Sequence, residues 1–373
     1  MTIAQTPRLI LSPCGTSLLT NGSTDEERRL LNRHSNAKSL EVMGADRTAV
    51  EQRVASVRAS LVNADAAQAR RASAELNGIL SLCDEESATA RDHHILVCTD
   101  TWLGEQTGQI VEGWLRRNGH TSVELRRQSD LQTADLQLFQ SALSDLVKWL
   151  DSTIEGYRQH QYRILFNLTG GFKSVQGFLQ TLGNLYADET LYVFEAPNSP
   201  LLRIPRLPVR LDIVDTVRRH LRTIRRLAIG LSVSSEDLSD VPETFLLRID
   251  DAVSLSPWGM VVWEQARKEL YVEQLWLAPS DRIAFGSDFS KSVQGQPPDR
   301  LMNLNDKLDK LAGYLEGDQA KSLKSLDLKP LKGNPKPPST HEFDAWADRD
   351  AKRVFCHYDG DKLILDRLDK ALH

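Results

Sequence analysis

Gly170 and Gly171, with Lys173 close behind, stand where a short apolar run gives way to a helical pattern. The run is Ile164-Leu165-Phe166-Asn167-Leu168, and the pattern is Val175, Phe178, Leu179 and Leu182. This order predicts a buried strand, a glycine turn and a helix. Glycines at such a turn let the backbone approach a bound group, and the helix start offers free N–H donors with a partial positive charge. Lys173 adds a mobile ammonium, while Asn167 and Thr169 add neutral hydrogen-bonding groups. That set suits the holding of a phosphate. An ordinary Gly-Gly turn of an α/β unit would use the same residues.

A second stretch has the same design. Arg8-Leu9-Ile10-Leu11 reads as a strand and runs into the small, polar loop Ser12-Pro13-Cys14-Gly15-Thr16-Ser17-Leu18-Leu19-Thr20-Asn21. The elements that position both loops follow in order. His94–Asp100 reads as a strand with a polar Thr-Asp-Thr end, and a helix is predicted from Gly104 to Asn118, capped by Gly119. Val123–Leu125 is a short strand, Leu136–Gly156 a periodic helix, and Leu191–Glu195 a last strand. Strands alternating with helices imply a mainly parallel sheet covered on both faces, with ligands at the carboxyl ends of its strands. The loops at Ser12–Thr16, Thr99–Trp102 and Thr169–Lys173 fall there.

The two loops, "SPCGTSLLTN" and "NLTGGFKS", resemble those of the CARF domain, the CRISPR-associated Rossmann-like sensor of cyclic oligoadenylates. The resemblance covers residues 1–204. It implies a homodimer whose two-fold axis passes through the ligand, which suits a ring with repeated phosphates. It assigns ligand contacts to Ser12, Gly15, Thr16, Thr169, Gly170, Gly171 and Lys173, with cyclic tetra-adenylate as the expected ring and allosteric activator. Some CARF domains also cut their ligand, and Lys173, Thr16 and Ser12 could supply donors for such ring-nuclease chemistry.

The chain has 373 residues, enough for two or three domains with their own cores. A formal net charge of −5 gives no global basic field for nucleic acid, so any RNA contact must be local. The cysteines are Cys14, Cys83, Cys98 and Cys356, with no CxxC pair and no zinc spacing. No metal site is expected. Reduced thiols, no signal-peptide pattern and no apolar run of membrane-spanning length lead to a cytoplasmic protein as the expectation.

Pro197, Pro200, Pro205 and Pro208 predict a linker. Residues 205–280 then read as a small helical or winged-helix-like connector. Its helix Leu211–Leu231 carries Arg218, Arg219, Arg222, Arg225 and Arg226. Trp258, Trp263 and Trp276 are expected in its core. From Asp281 the pattern changes to a strand at Ile283–Phe285, helices to Gly317, and a basic, proline-rich loop with Lys321, Lys324, Lys329, Lys332 and Lys336. Arg353–Tyr358 and Lys362–Leu368 form a hairpin around Asp359-Gly360-Asp361. Alternation places Arg353, Phe355 and His357 on one face.

Strand, two helices and a terminal antiparallel sheet is the layout of RelE/ParE toxins, and "LKPLKGN…HEF…RVFCHYDGDKLILDRL" resembles RelE-type mRNA interferases. The third domain, residues 281–373, is thus expected as an α+β RelE-like ribonuclease. The domain lacks the strongly basic charge usual in that family. Metal-free RNA cleavage uses the RNA's own 2′-OH, a base, a cation for the phosphorane and an acid for the leaving oxygen. The resemblance points to Arg353 for phosphate charge. His341, His357 and His373 are the titratable candidates, and Lys332 with Lys336 could hold RNA.

The expected function is a cyclic-oligoadenylate-activated, ribosome-dependent mRNA endoribonuclease that blocks translation in type III CRISPR antiviral defence. The ribosome and mRNA are its expected partners, with docking to a ribosomal protein through residues 211–280. Two alternatives stand beside it. One is a ligand-controlled regulator binding DNA through the arginine-rich connector; the other is a ParE-like inhibitor that binds a protein and cuts nothing.

Overall fold

The computed structural model describes residues 6–171, 173–194, 199–207, 213–317, 326–332, 336–348 and 350–371, with the backbone alone of Lys173 and Ser174. The chain divides into two compact units, Met1–Arg210 and Leu211–His373.

The first unit runs β1 (Arg8–Cys14), α1 (Ser17–Thr20), α2 (Asp25–Arg33), α3 (Arg47–Val62), α4 (Ala66–Ala72), α5 (Ala74–Glu85), β2 (His93–Cys98) and α6 (Trp102–Arg117). It continues through β3 (Ser122–Arg127), α7 (Leu136–Gln159), β4 (Arg163–Asn167), α8 (Lys173–Tyr186), β5 (Glu189–Val193) and β6 (Leu201–Pro205). The sheet order is β3-β2-β1-β4-β5-β6, parallel except for β6. This is a Rossmann-like α/β arrangement. Strand order reverses between β1 and β4, the place where open α/β sheets open a crevice for ligands. Ile10, Leu96 and Leu165 lie at the centre of the sheet and are buried under helices. Gly119 takes φ +92° just past the end of α6, the left-handed geometry expected of it.

The proline-marked stretch after β5 is not only a connection. Leu201–Pro205 pairs antiparallel with β5 as an edge strand, register Val193 to Leu201 and Glu189 to Pro205. Proline is tolerated there because the outer edge needs no ladder N–H. Pro197 and Pro208 lie outside the described residues.

The second unit begins with α9 (Val214–Arg219), α10 (Leu221–Ala228) and α11 (Ser235–Leu238), so the predicted single helix is broken at His220. A hairpin follows, β7 (Leu246–Ile249) and β8 (Ala252–Leu255), then α12 (Pro257–Glu273). The remainder is β9 (Ile283–Phe285), α13 (Ser287–Val293), α14 (Pro298–Glu316), β10 (Lys329–Pro330), β11 (His341–Trp346), β12 (Lys352–Asp359) and β13 (Lys362–Lys370). These strands form a sheet of order β10-β11-β12-β13-β9. Phe289, Leu304, Leu308 and Leu311 of its helices pack on Phe343, Val354, Cys356 and Leu365.

Residues 214–280 do not stand apart from this sheet. Arg225 of α10, 1% exposed, donates from Nε to Asp309 of α14 at 2.7 Å, and the Tyr271 hydroxyl of α12 donates to the same carboxylate. Asn305 of α14 donates to the carbonyls of Tyr271 (3.1 Å) and Gln274 (2.9 Å). Trp263 is buried as expected, whereas Trp258, in the first turn of α12, is 40% exposed. Among the described residues no helix is long and apolar enough to cross a membrane.

Candidate functional site

β1 extends three residues past its predicted end. Ser12, Pro13 and Cys14 pair with Leu96, Val97 and Cys98 of β2, while β4 pairs with β1 only as far as Leu11. Pro13 therefore stands beyond the β4 ladder, where its missing N–H leaves no gap on that side. Ser12 lies inside the sheet, 0% exposed, with its hydroxyl accepting from Asn167 Nδ2 at 3.1 Å. Its hydroxyl is engaged inside the protein. Cys14 is buried as well, and burial pushes its thiol well above the usual range.

The glycine loops do meet. A Cβ on Gly15 would come within 3.1 Å of the Gly171 carbonyl carbon, and one on Gly171 within 2.9 Å of the Pro13 ring. Gly171 also has φ +106°, a conformation that L side chains rarely adopt. Thus Gly15, Gly170 and Gly171 come together at the switch point, with Thr16 half-buried beside them as the N-cap of α1. Thr169 follows β4, but its hydroxyl accepts from the Val193 N–H at 3.2 Å. Lys173 opens α8, and its side chain lies outside the described residues.

The group joining the two loops is Glu75 of α5, which the sequence reading did not single out. Its Oε1 accepts from the Gly15 N–H at 2.9 Å and its Oε2 from the Ser73 hydroxyl at 2.7 Å. The Gly171 N–H is a third donor. Burial raises the Glu75 pKa, although the Gly15, Ser73 and Gly171 donors pull it down. From the other side, Gln176 Nε2 donates to the carbonyls of Leu168 (3.0 Å) and Gly170 (2.8 Å). Nothing local marks Glu75 as the joining group, because Gly15 and Gly171 are brought to it only by tertiary closure.

The third predicted loop is engaged by its own residues and by neighbouring segments. The Thr99 and Thr101 hydroxyls are 2.9 Å apart, and Thr101 caps α6 through the Gly104 N–H. Asp100 accepts from Arg127 at 2.9 Å and from the Asp130 N–H at 3.1 Å.

In the second unit, Arg353, Phe355 and His357 lie on the sheet face opposite the helices, and Val354 with Cys356 faces the core. Arg353 is held by three carboxylates: Glu342 at 3.0 Å, Asp344 at 2.8 Å and Asp327 at 2.9 Å. Its charge is balanced within the protein. His357 Nδ1 lies 2.9 and 3.0 Å from the two oxygens of Asp366, and the Ser339 hydroxyl donates to Asp366 Oδ2 at 2.7 Å. Asp366 reaches it because β13 carries one extra residue here. Phe355 opposes Arg367 while Cys356 opposes Leu365. A bulge of this kind re-aims a side chain that strict alternation would send elsewhere.

His341 opposes Cys356 in the register, so it shares the helix-side face, and its ring meets Tyr358 edge-on at 5.2 Å. It is not brought to His357. Lys336 pairs with Asp369 and lies over the Phe355 ring at 4.3 Å. Lys332 is exposed between β10 and β11. His373, Lys321 and Lys324 lie outside the described residues.

The arginine run of the connector is largely matched by acids. Arg218 pairs with Glu273, Arg222 with Asp281, Arg225 with Asp309 and Arg226 with Glu316. A charged face balanced in this way gives little grip on a phosphate backbone.

Residues 70–207 match the family model of a CRISPR-associated protein, Cas_APE2256. The matched segment includes Glu75, the β4 turn with Gly170 and Gly171, and the whole of α8. No curated protein matches the chain. The similarity associates the protein with CRISPR systems and points to a role in CRISPR defence.

Proposed function

We propose that the protein is a cyclic-oligoadenylate-activated mRNA endoribonuclease of type III CRISPR defence. The first unit is the sensor. A dimer places two copies of the Gly15 and Gly170-Gly171 loops around the ring, cyclic tetra-adenylate being the expected size, and Lys173 adds charge. The second unit is the cutter, with half-buried His357 on the sheet face away from the helices. The ribosome presents the message, and a ribosomal protein docks on the connector. The match of residues 70–207 to a CRISPR-associated family carries this reading, since that segment holds the glycine turn at the switch point.

The chemistry is transesterification by the RNA itself. The 2′-oxygen gives up its proton and bonds to phosphorus as the bond to the 5′-oxygen breaks, leaving a 2′,3′-cyclic phosphate and a 5′-hydroxyl. Cleavage of the ring at the sensor would use the same 2′-hydroxyl chemistry.

The deciding experiment incubates the full chain with ribosomes and message, with and without each cyclic oligoadenylate. Ligand-dependent mRNA fragments are expected. Intact message under saturating ligand would leave the ParE-like protein-binding reading in place. Replacement of both Gly171 and Lys173 should abolish the ligand response.

A further inference from the structure

On the face of the C-terminal sheet turned away from the helices, largely covered where Lys336 lies over buried Phe355, one arginine stands apart. Among the described residues the Arg367 side chain makes no ion pair and no hydrogen bond, and its Nε is buried without a partner. Two other cations of this face are engaged, Arg353 by three carboxylates and Lys336 by Asp369, the acid that also feels the Arg367 charge. Arg367 opposes Phe355 across the strand pair, and His357 follows two positions along β12 on the same face. Arg367 and His357 are thus diagonal neighbours across the strand pair, positions that lie about 7–8 Å apart. That distance lets a guanidinium and an imidazole address one phosphodiester from two sides.

His357 is prepared for the second role. Asp366 faces Nδ1, so in the neutral ring the proton belongs on Nδ1 and Nε2 is the acceptor; nothing among the described residues engages Nε2. Ser339 orients Asp366 in turn, and both are buried. The neighbouring thiol is no rival, because burial pushes Cys356 far above its ordinary value, with Asp366 and Glu342 adding to the effect.

We propose that Arg367 and His357 are the catalytic pair of this face, that Asp366 and Ser339 are positioning residues for His357, and that Arg353 is a structural ion-pair hub. The proposal rests on the RNA-cutting reading above. His357 Nε2 takes the 2′-hydroxyl proton as the 2′-oxygen bonds to phosphorus, and Arg367 neutralises the phosphorane oxygens. The 5′-oxygen leaves, taking a proton from water, and the imidazolium returns its proton to solvent.

The test uses full-length protein saturated with cyclic tetra-adenylate. With ribosomes and message, Arg367→Gln is expected to lower the cleavage rate by about a hundredfold at an unchanged melting temperature. Asp366→Asn should lower kcat with little change in KM and reshape the pH–rate profile, because it permits the wrong tautomer. Asp366→Glu should recover part of the loss. An Arg367→Gln protein that cleaves within threefold of the unaltered chain overturns the pair. A second readout does not need turnover: nitrogen-labelled histidine and arginine signals are followed as a 2′-deoxy-substituted RNA oligonucleotide is added. Shifts at both His357 and Arg367 support the pair even if the ribosome assay yields no fragments and the wider reading falls. Unmoved signals overturn it. So do His357 nitrogen shifts identical in the Asp366→Asn protein.

Discussion

The Gly15 N–H donates to Glu75 Oε1 at 2.9 Å across 60 residues of sequence. A carboxyl group thus sits under the two glycine loops. Two of the amides at that crossing, those of Gly15 and Gly171, already face an acid of the protein itself. The loops are held in shape by the protein's own groups.

A pH dependence follows from this contact. Burial raises the Glu75 pKa, so the folded chain keeps this proton to higher pH than the unfolded chain does. The stability linked to it is complete below the ordinary glutamic acid value, about 4.3, and is lost as pH rises through the elevated folded value. Glu75→Gln removes the titration, and Ser73 can accept from the new amide. Denaturation of the two proteins across pH should show the unaltered chain losing stability relative to Glu75→Gln as pH rises from about 4 towards neutrality. Parallel curves would contradict it.

Crowding at Gly170 gives a second prediction. A Cβ there would sit 2.4 Å from Glu75 Oε1 and 2.8 Å from its Cγ. Gly170→Ala should cost about 1–3 kcal/mol in urea unfolding. Gly156, exposed on α7 with open space around it, should behave oppositely. Gly156→Ala is expected to gain close to 1 kcal/mol.

Much of the first unit was legible because buried parallel strands advertise themselves as apolar runs. Ile164–Leu168 and His94–Cys98 are such runs, and both are strands. Leu201–Pro205 was hidden by its proline and by its place at an edge, where pairing needs no apolar alternation. The glycine loops were found by type, but Ser12 was misplaced, since strand pairing with β2 carries past Pro13. On the second unit, period-two reasoning put Arg353 and His357 on one face. It had no means to see the extra residue in β13 that brings Asp366 to His357. Arg353 is the residue type a phosphate needs, and its three acids come from β11 and from Asp327, a partner set only by folding.

The role of Arg353 can be separated from catalysis. Its guanidinium is the only group the described residues place against Glu342, Asp344 and Asp327 together. Arg353→Gln should lower stability by about 2 kcal/mol, measured by chemical denaturation, and Asp344→Asn in the same background should restore part of it. A full-strength melting temperature in the single variant would return Arg353 to the list of free cations.

Arg225 offers the largest expected effect. It is 1% exposed, and its partner Asp309 is buried as well. Arg225→Met leaves that carboxylate without its cation and should cost about 3–5 kcal/mol. Replacing the partner too, Arg225→Met with Asp309→Leu, should recover most of the loss, because a buried pair can be exchanged for apolar packing at little net change.

The same contact has a mechanical consequence. With Arg225, Tyr271 and Asp309 tying α10, α12 and α14 at one point, the connector has no slack against the sheet it leads into. A displacement applied to α10 must swing α14 and its strands along with it, so the second unit answers as one stiff arm rather than as a hinge with a tool at its end.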